Sequence, residues 1–143
     1  MPYVTIVFDP KKVLQDTVDN LKPWLQKEVA RVLSIVGTIA GDYPDIDAQE
    51  IQKDIQTSPD EIMVLQHATH STDVNVPPLE IYIQAGRPKG RDGNKVVELL
   101  GQLLSESELI PDEYLGDGKA GIFITFHEHN GFGFIPKCKT KEG

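Results

Sequence analysis

Residues 78–87 read P-L-E-I-Y-I-Q-A-G-R. Leu79, Ile81 and Ile83 alternate with Glu80, Tyr82 and Gln84, the period-two pattern of a strand with one apolar and one mostly polar face. Pro77 and Pro78 stiffen the approach to it, because consecutive prolines favour extended backbone. The loop G-R-P-K-G-R-D-G follows. Asp92 then caps a helix that carries Val96, Val97, Leu99, Leu100, Leu103 and Leu104, and Ile122 to Glu128 forms the next strand. The second half of the chain is thus a strand-helix-strand unit.

The first half follows the same plan. Pro2 precedes Y-V-T-I-V-F (Tyr3 to Phe8), and Asp9-Pro10 offers a cap and a first helical turn. Val13, Leu14, Val18, Leu21, Leu25, Val29, Val32, Leu33 and Val36 recur at helical spacing. Pro23 is expected to kink or divide that helix, and Gly37 and Gly41 to end it. Asp47 and Glu50 have capping-box spacing for a short helix from Ala48 to Ile55, and Glu61 to Thr69 reads as a second strand. Laying Pro2 over Pro78 aligns two strands, each followed by a basic loop and an amphipathic helix. This suggests pseudo-duplicated units of about 1–76 and 77–143 within a single domain, 1–143. The expected fold is α+β: two tandem β-α-β units forming a four-stranded sheet with two main helices packed on one face.

With 143 residues the chain can bury roughly two thirds of its unfolded surface, so no metal or disulfide staple is required. Fourteen Lys and Arg against 22 Asp and Glu give a net charge of −8, which argues against nucleic acid and anionic membranes as partners. A single Cys138, no cationic leader with an apolar core, and no apolar stretch of membrane-spanning length point to a cytoplasmic protein.

Against that acidic background, the segment from Gly86 to Lys95 holds four basic residues and one acidic one. Such a cluster is either a solvated turn or an anion site, where Arg87 offers two parallel hydrogen bonds to a carboxylate. Pro2 reads either as the start of an edge strand or, once Met1 is removed, as a terminal secondary amine. His127 and His129 share a strand face, while His67 and His70 do not; no metal site is expected from either pair. No nucleophile elbow or P-loop is present.

Met1-Pro2 opening a strand, Ala85-Gly86-Arg87 closing another, and Gly131-Phe132-Gly133 after the last strand together resemble the tautomerase superfamily. The longer two-unit members of the 5-carboxymethyl-2-hydroxymuconate isomerase type match best in length. The resemblance implies a cofactor-independent tautomerase or isomerase that assembles as a homotrimer and acts on a small carboxylate-bearing keto or enol acid. In that scheme Pro2, freed of Met1, moves the proton and Arg87 binds a substrate carboxylate. Lys11, Lys12 and Arg91 are secondary anion-binding candidates, Phe132 lines the pocket, and Tyr3 and Phe134 supply further apolar wall. The loop after the first strand reads D-P-K-K, where simpler members carry the arginine. The alternative is a non-catalytic binding or assembly module of the same fold that uses the basic 86–95 loop.

Overall fold

The computed structural model describes residues 2–35, 57–86, 92–116, 118–127 and 135–136. Strand β1 (Tyr3–Phe8) leads to helix α1 (Gln15–Ile35) and strand β2 (Met63–Ala68). Strand β3 (Leu79–Gly86) leads in turn to helix α2 (Gly93–Ser107) and strand β4 (Gly121–His127). The sheet order is β2-β1-β3-β4, with β1 parallel to β2, β3 parallel to β4, and β1 antiparallel to β3. The expected pair of β-α-β units in one four-stranded sheet is therefore present.

Alternation decides which face each strand buries. Val4, Ile6 and Phe8 of β1 and Leu79, Ile81 and Ile83 of β3 point inward and are almost fully buried. They form one core with Val18, Leu21, Leu25, Val29 and Leu33 of α1 and with Val96, Leu100 and Leu104 of α2. The two helices thus pack on the same face of the sheet. Burial phase also sets the relation between the units. Pro2 laid over Pro78 would match inward residues of β1 to outward residues of β3, because an even offset keeps neither face in step. Laid over Pro77, Val4, Ile6 and Phe8 fall on Leu79, Ile81 and Ile83.

The second unit forms as its sequence directs. The Asp92 carboxylate accepts from the Asn94 and Lys95 backbone N–H groups (3.0 and 3.4 Å), satisfying two otherwise unpaired donors of α2. The first unit departs twice from expectation. Pro23 neither divides α1 nor ends it, and the helix runs through it. Pro23 lies on the exposed side, whereas Leu21 and Leu25 on either side of it are buried. Burying each of those leucines contributes about 2 kcal/mol, together outweighing the ~3 kcal/mol cost of a mid-helix proline. Asp9 does not cap α1 either. Its carboxylate accepts from the Lys11 N–H (3.0 Å) and its carbonyl from the Lys12 and Val13 N–H groups (3.0 and 2.9 Å), closing a tight turn that buries Val13 before the helix begins at Gln15. The expected helix over Ala48 to Ile55 lies outside the described residues.

A long-range bond ties the units together: the Tyr114 hydroxyl donates to the Lys12 carbonyl at 2.5 Å. No helix among the described residues is long and apolar enough to cross a membrane.

The cap and the core have separable energies. Asp92→Ala is expected to lower stability by about 1 kcal/mol and Leu100→Ala by about 2–5 kcal/mol, measured by urea denaturation with unchanged slope.

Candidate active site

The end of the sheet where β1 begins brings together residues far apart in sequence. Tyr3 pairs with Met63 on one side and Gln84 on the other. One step earlier in the same registers, Pro2 sits between Ile62 and Ala85, and Ala85 in turn pairs with Phe126. The Met63 N–H donates to the Pro2 carbonyl at 3.2 Å, which fixes the first residue of the strand in the ladder. Pro2 shares the inward phase of Val4 and is buried, as are Ile62 and Ala85. Ile62 is held from above by α1, where the Gln26 side-chain amide donates to its carbonyl at 3.2 Å.

The N-terminus of α2 closes over the same row. A Cβ on Gly93 would stand 3.1 Å from both the Ile124 Cγ2 and the Phe126 Cε2 atoms, so the first turn of the helix presses onto β4 where only glycine fits without displacement. The positive end of the α2 dipole and the basic residue Lys95 therefore lie at this end of the sheet. β3 also terminates here, at Gly86, so the chain enters its basic loop beside the start of β1. Arg87, Arg91 and Phe132 themselves lie outside the described residues, as do Phe134 and His129.

Lys11 and Lys12 are placed elsewhere. They follow β1, whose six residues carry the chain about 20 Å from Pro2. Within one chain they belong to the opposite end of the sheet, beside Thr69 and His70. Tyr3 is not a wall of the Pro2 site either, because strand alternation turns it to the outward face, where it is 38% exposed. Among the described residues the apolar neighbours of Pro2 in the sheet are Ile62 and Ala85, with Phe126 beside Ala85 on the next strand. Strand parity counted from Ile83 would have found Ala85.

Among the described residues nothing covers the outward face of the sheet. Tyr3, Met63, Leu65, Tyr82 and Phe123 are all large apolar side chains exposed on it. Tyr82 stacks on Phe123 with ring centroids 5.0 Å apart and donates its hydroxyl to Glu80. That hydrogen bond to Glu80 is the main cause that raises the Tyr82 phenol above its ordinary value. A cavity of ≈ 370 Å³ runs between α2 and β4 and is mainly apolar; Glu98 is the one ionisable group among its described lining residues. Among the described residues no cluster of three metal-ligating side chains occurs.

No family model and no curated protein matches the sequence. Among solved structures, the chain is similar to the crystal structure of Pt0534 inactivated by 2-oxo-3-pentynoate, with a TM-score of 0.50 and 14% identity over 87% of this chain and 85% of that one. The fold is tautomerase-like. At this identity the likeness extends to the backbone arrangement of sheet and helices.

Packing at Gly93 can be probed directly. Gly93→Val is expected to destabilise by about 1–3 kcal/mol through crowding of Ile124 and Phe126. In Gly93→Ala the gain in helix propensity, up to about 1 kcal/mol, offsets a smaller clash and leaves stability nearly unchanged. Thermal unfolding of the two variants measures the difference.

Proposed function

We propose that the protein is a cofactor-independent tautomerase or isomerase in which Pro2, exposed by loss of Met1, moves a proton within a small unsaturated keto or enol carboxylic acid. The observation that carries this reading is the burial of Pro2 on the helix-covered face, in the row Ile62–Pro2–Ala85–Phe126. In water an α-amine is mostly protonated at neutral pH. Burial among apolar side chains disfavours the ammonium, and so does a neighbouring helix N-terminus or cation, so both lower the pKa towards the range in which a base works. The free amine then takes a proton from the carbon next to the carbonyl. The C–H electron pair passes into the enolate or dienolate, and the ammonium returns the proton to a carbon or oxygen of the same conjugated system.

Negative charge develops on the substrate in that step, and fixed positive charge must meet it. Arg87 is bonded to Gly86, the last residue of β3, and β3 ends beside Pro2 because it runs antiparallel to β1. We assign Arg87 the substrate carboxylate on this ground, with Arg91 and Phe132 as further lining residues. Lys11 and Lys12 have no part in this site within one chain. The compound that inactivated Pt0534, a 2-oxo acid conjugated to a triple bond, supports the same substrate class. A free Pro2 nitrogen would add to such an alkyne, forming an N–C bond while its proton goes to the adjacent carbon.

The homotrimer belongs to the same proposal. Its support is the outward sheet face, where Tyr3, Leu65, Tyr82 and Phe123 expose apolar surface that further copies of the chain would cover.

Two measurements test these readings. Intact mass should show loss of the methionine and, after incubation with 2-oxo-3-pentynoate, a gain of one whole inhibitor molecule on the peptide beginning at Pro2. Pro2→Ala should lower ketonisation of enol-phenylpyruvate by about 10²-fold or more. A retained Met1, or full activity in Pro2→Ala, overturns the mechanism and leaves the binding-module reading. For assembly, sedimentation should give three chains per particle, falling to one in Leu65→Glu combined with Phe123→Glu; a monomeric wild type refutes the trimer.

A further inference from the structure

The antiparallel pairing of β1 and β3 gives the sheet two equivalent ends. At one, the start of β1 lies beside the end of β3. At the other, the start of β3 lies beside the end of β1, where Phe8 pairs with Leu79 and the Asp9 N–H donates to the Pro78 carbonyl at 3.0 Å. The loop after β1 and the segment after β2 meet near the start of β3. The second end holds a polar cavity of ≈ 280 Å³ built from those two stretches, Asp9 to Lys12 and Thr69 to Val76.

The polar groups of this cavity divide into two sets. The carboxylates serve the backbone: Asp9 accepts from the Lys11 N–H (3.0 Å) and Asp73 from the His70 N–H (2.8 Å), each closing the turn it belongs to. The donors are unused. The ammoniums of Lys11 and Lys12 form no ion pair among the described residues, whose ion pairs are Lys22 with Asp19 and Arg31 with Glu28. The side chains of Thr69, Ser71 and Asn75 likewise have no hydrogen-bond partner there. The Lys12 backbone is anchored by the Tyr114 hydroxyl, and Asn75 holds a left-handed backbone conformation at φ 58° that turns the wall of the cavity toward Pro77. Two cations and two hydroxyls thus line, with the two carboxylates, a space large enough for a small anion.

We propose that this cavity is a second, non-catalytic site for a small oxyanion, a carboxylate or a phosphate, held by Lys11 and Lys12 with Thr69 and Ser71. Chemistry is excluded there by covalent structure. The proline that corresponds to Pro2 in burial phase, Pro77, lies inside the chain, and its nitrogen is a tertiary amide with neither basicity nor a proton to give. The site binds and does not isomerise. Its cations are exposed lysines, point charges without the fork of arginine, so affinity is expected on the order of millimolar. The inference does not depend on Pro2 acting as a base.

The test is an amide NMR titration of the full chain with inorganic phosphate and, separately, with pyruvate, at ionic strength held constant with chloride. Saturable shifts centred on Lys12, Ser71 and Asn75 support the site, and whether phosphate, pyruvate or both produce them identifies the oxyanion. Affinity should weaken at least about tenfold in Lys11→Ala combined with Lys12→Ala and be kept within about threefold when both lysines are replaced by arginine. Shifts at Ile62 and Ala85 report the Pro2 end separately, so binding there neither mimics nor masks the result. Shifts that fail to saturate, or an unchanged affinity in the double alanine variant with a native spectrum, overturn the proposal.

Discussion

The antiparallel contact between β1 and β3 is the constraint on which the rest of the molecule depends. Ile6 faces Ile81 near its centre, and from that pair the inward phase runs to Val4 and Phe8 along one strand and to Leu79 and Ile83 along the other. A slip of one residue would turn every one of these side chains to the outside. The same register puts Pro2 inside and Tyr3 outside, although they are neighbours in the chain. Because the two strands run in opposite directions, each end of the sheet sets the beginning of one unit beside the end of the other unit's first strand. One pairing thus sets Pro2 beside the end of β3 and Pro77 and Pro78 beside the end of β1.

Charge and packing cooperate at these ends. The chain as a whole is acidic, with a net charge of −8, so an anionic ligand gains from cations only where they are local. The lysines after β1 and the basic loop after β3 supply such places. At the Pro2 end the inward row is apolar and Gly93 approaches Phe126 closely. At the other end the cavity is lined mainly by polar side chains.

Much of the architecture was legible in the residues. The alternation of Leu79, Ile81 and Ile83, the Asp92 cap and the helical spacing of Val96, Leu100 and Leu104 are local patterns, and local patterns survive folding when burial and propensity agree. Pro23 was misleading because its cost is local while the burial of Leu21 and Leu25 that exceeds it is tertiary. Asp9 was misleading for the opposite reason: its carboxylate found a backbone donor two residues on before any helix began, and Val13 was drawn into the core. The site was half legible. Met1-Pro2 and Ala85-Gly86-Arg87 stood out as motifs, whereas Lys11 and Lys12, candidates by the resemblance, lie within one chain at the other end of the sheet from Pro2.

By itself, the amino-acid sequence determined two strand-helix-strand units, the apolar face of each element and a basic loop after each first strand, since each is set by spacing within a few residues. Tertiary structure alone decided that Ile62 and Ala85 flank Pro2, that Lys11 and Lys12 lie at the other end of the sheet, and that Tyr3 and Tyr82 share its outward face. Those relations depend on which strands pair and in which direction, and hydrogen bonds between strands join residues by register, whatever their separation along the chain.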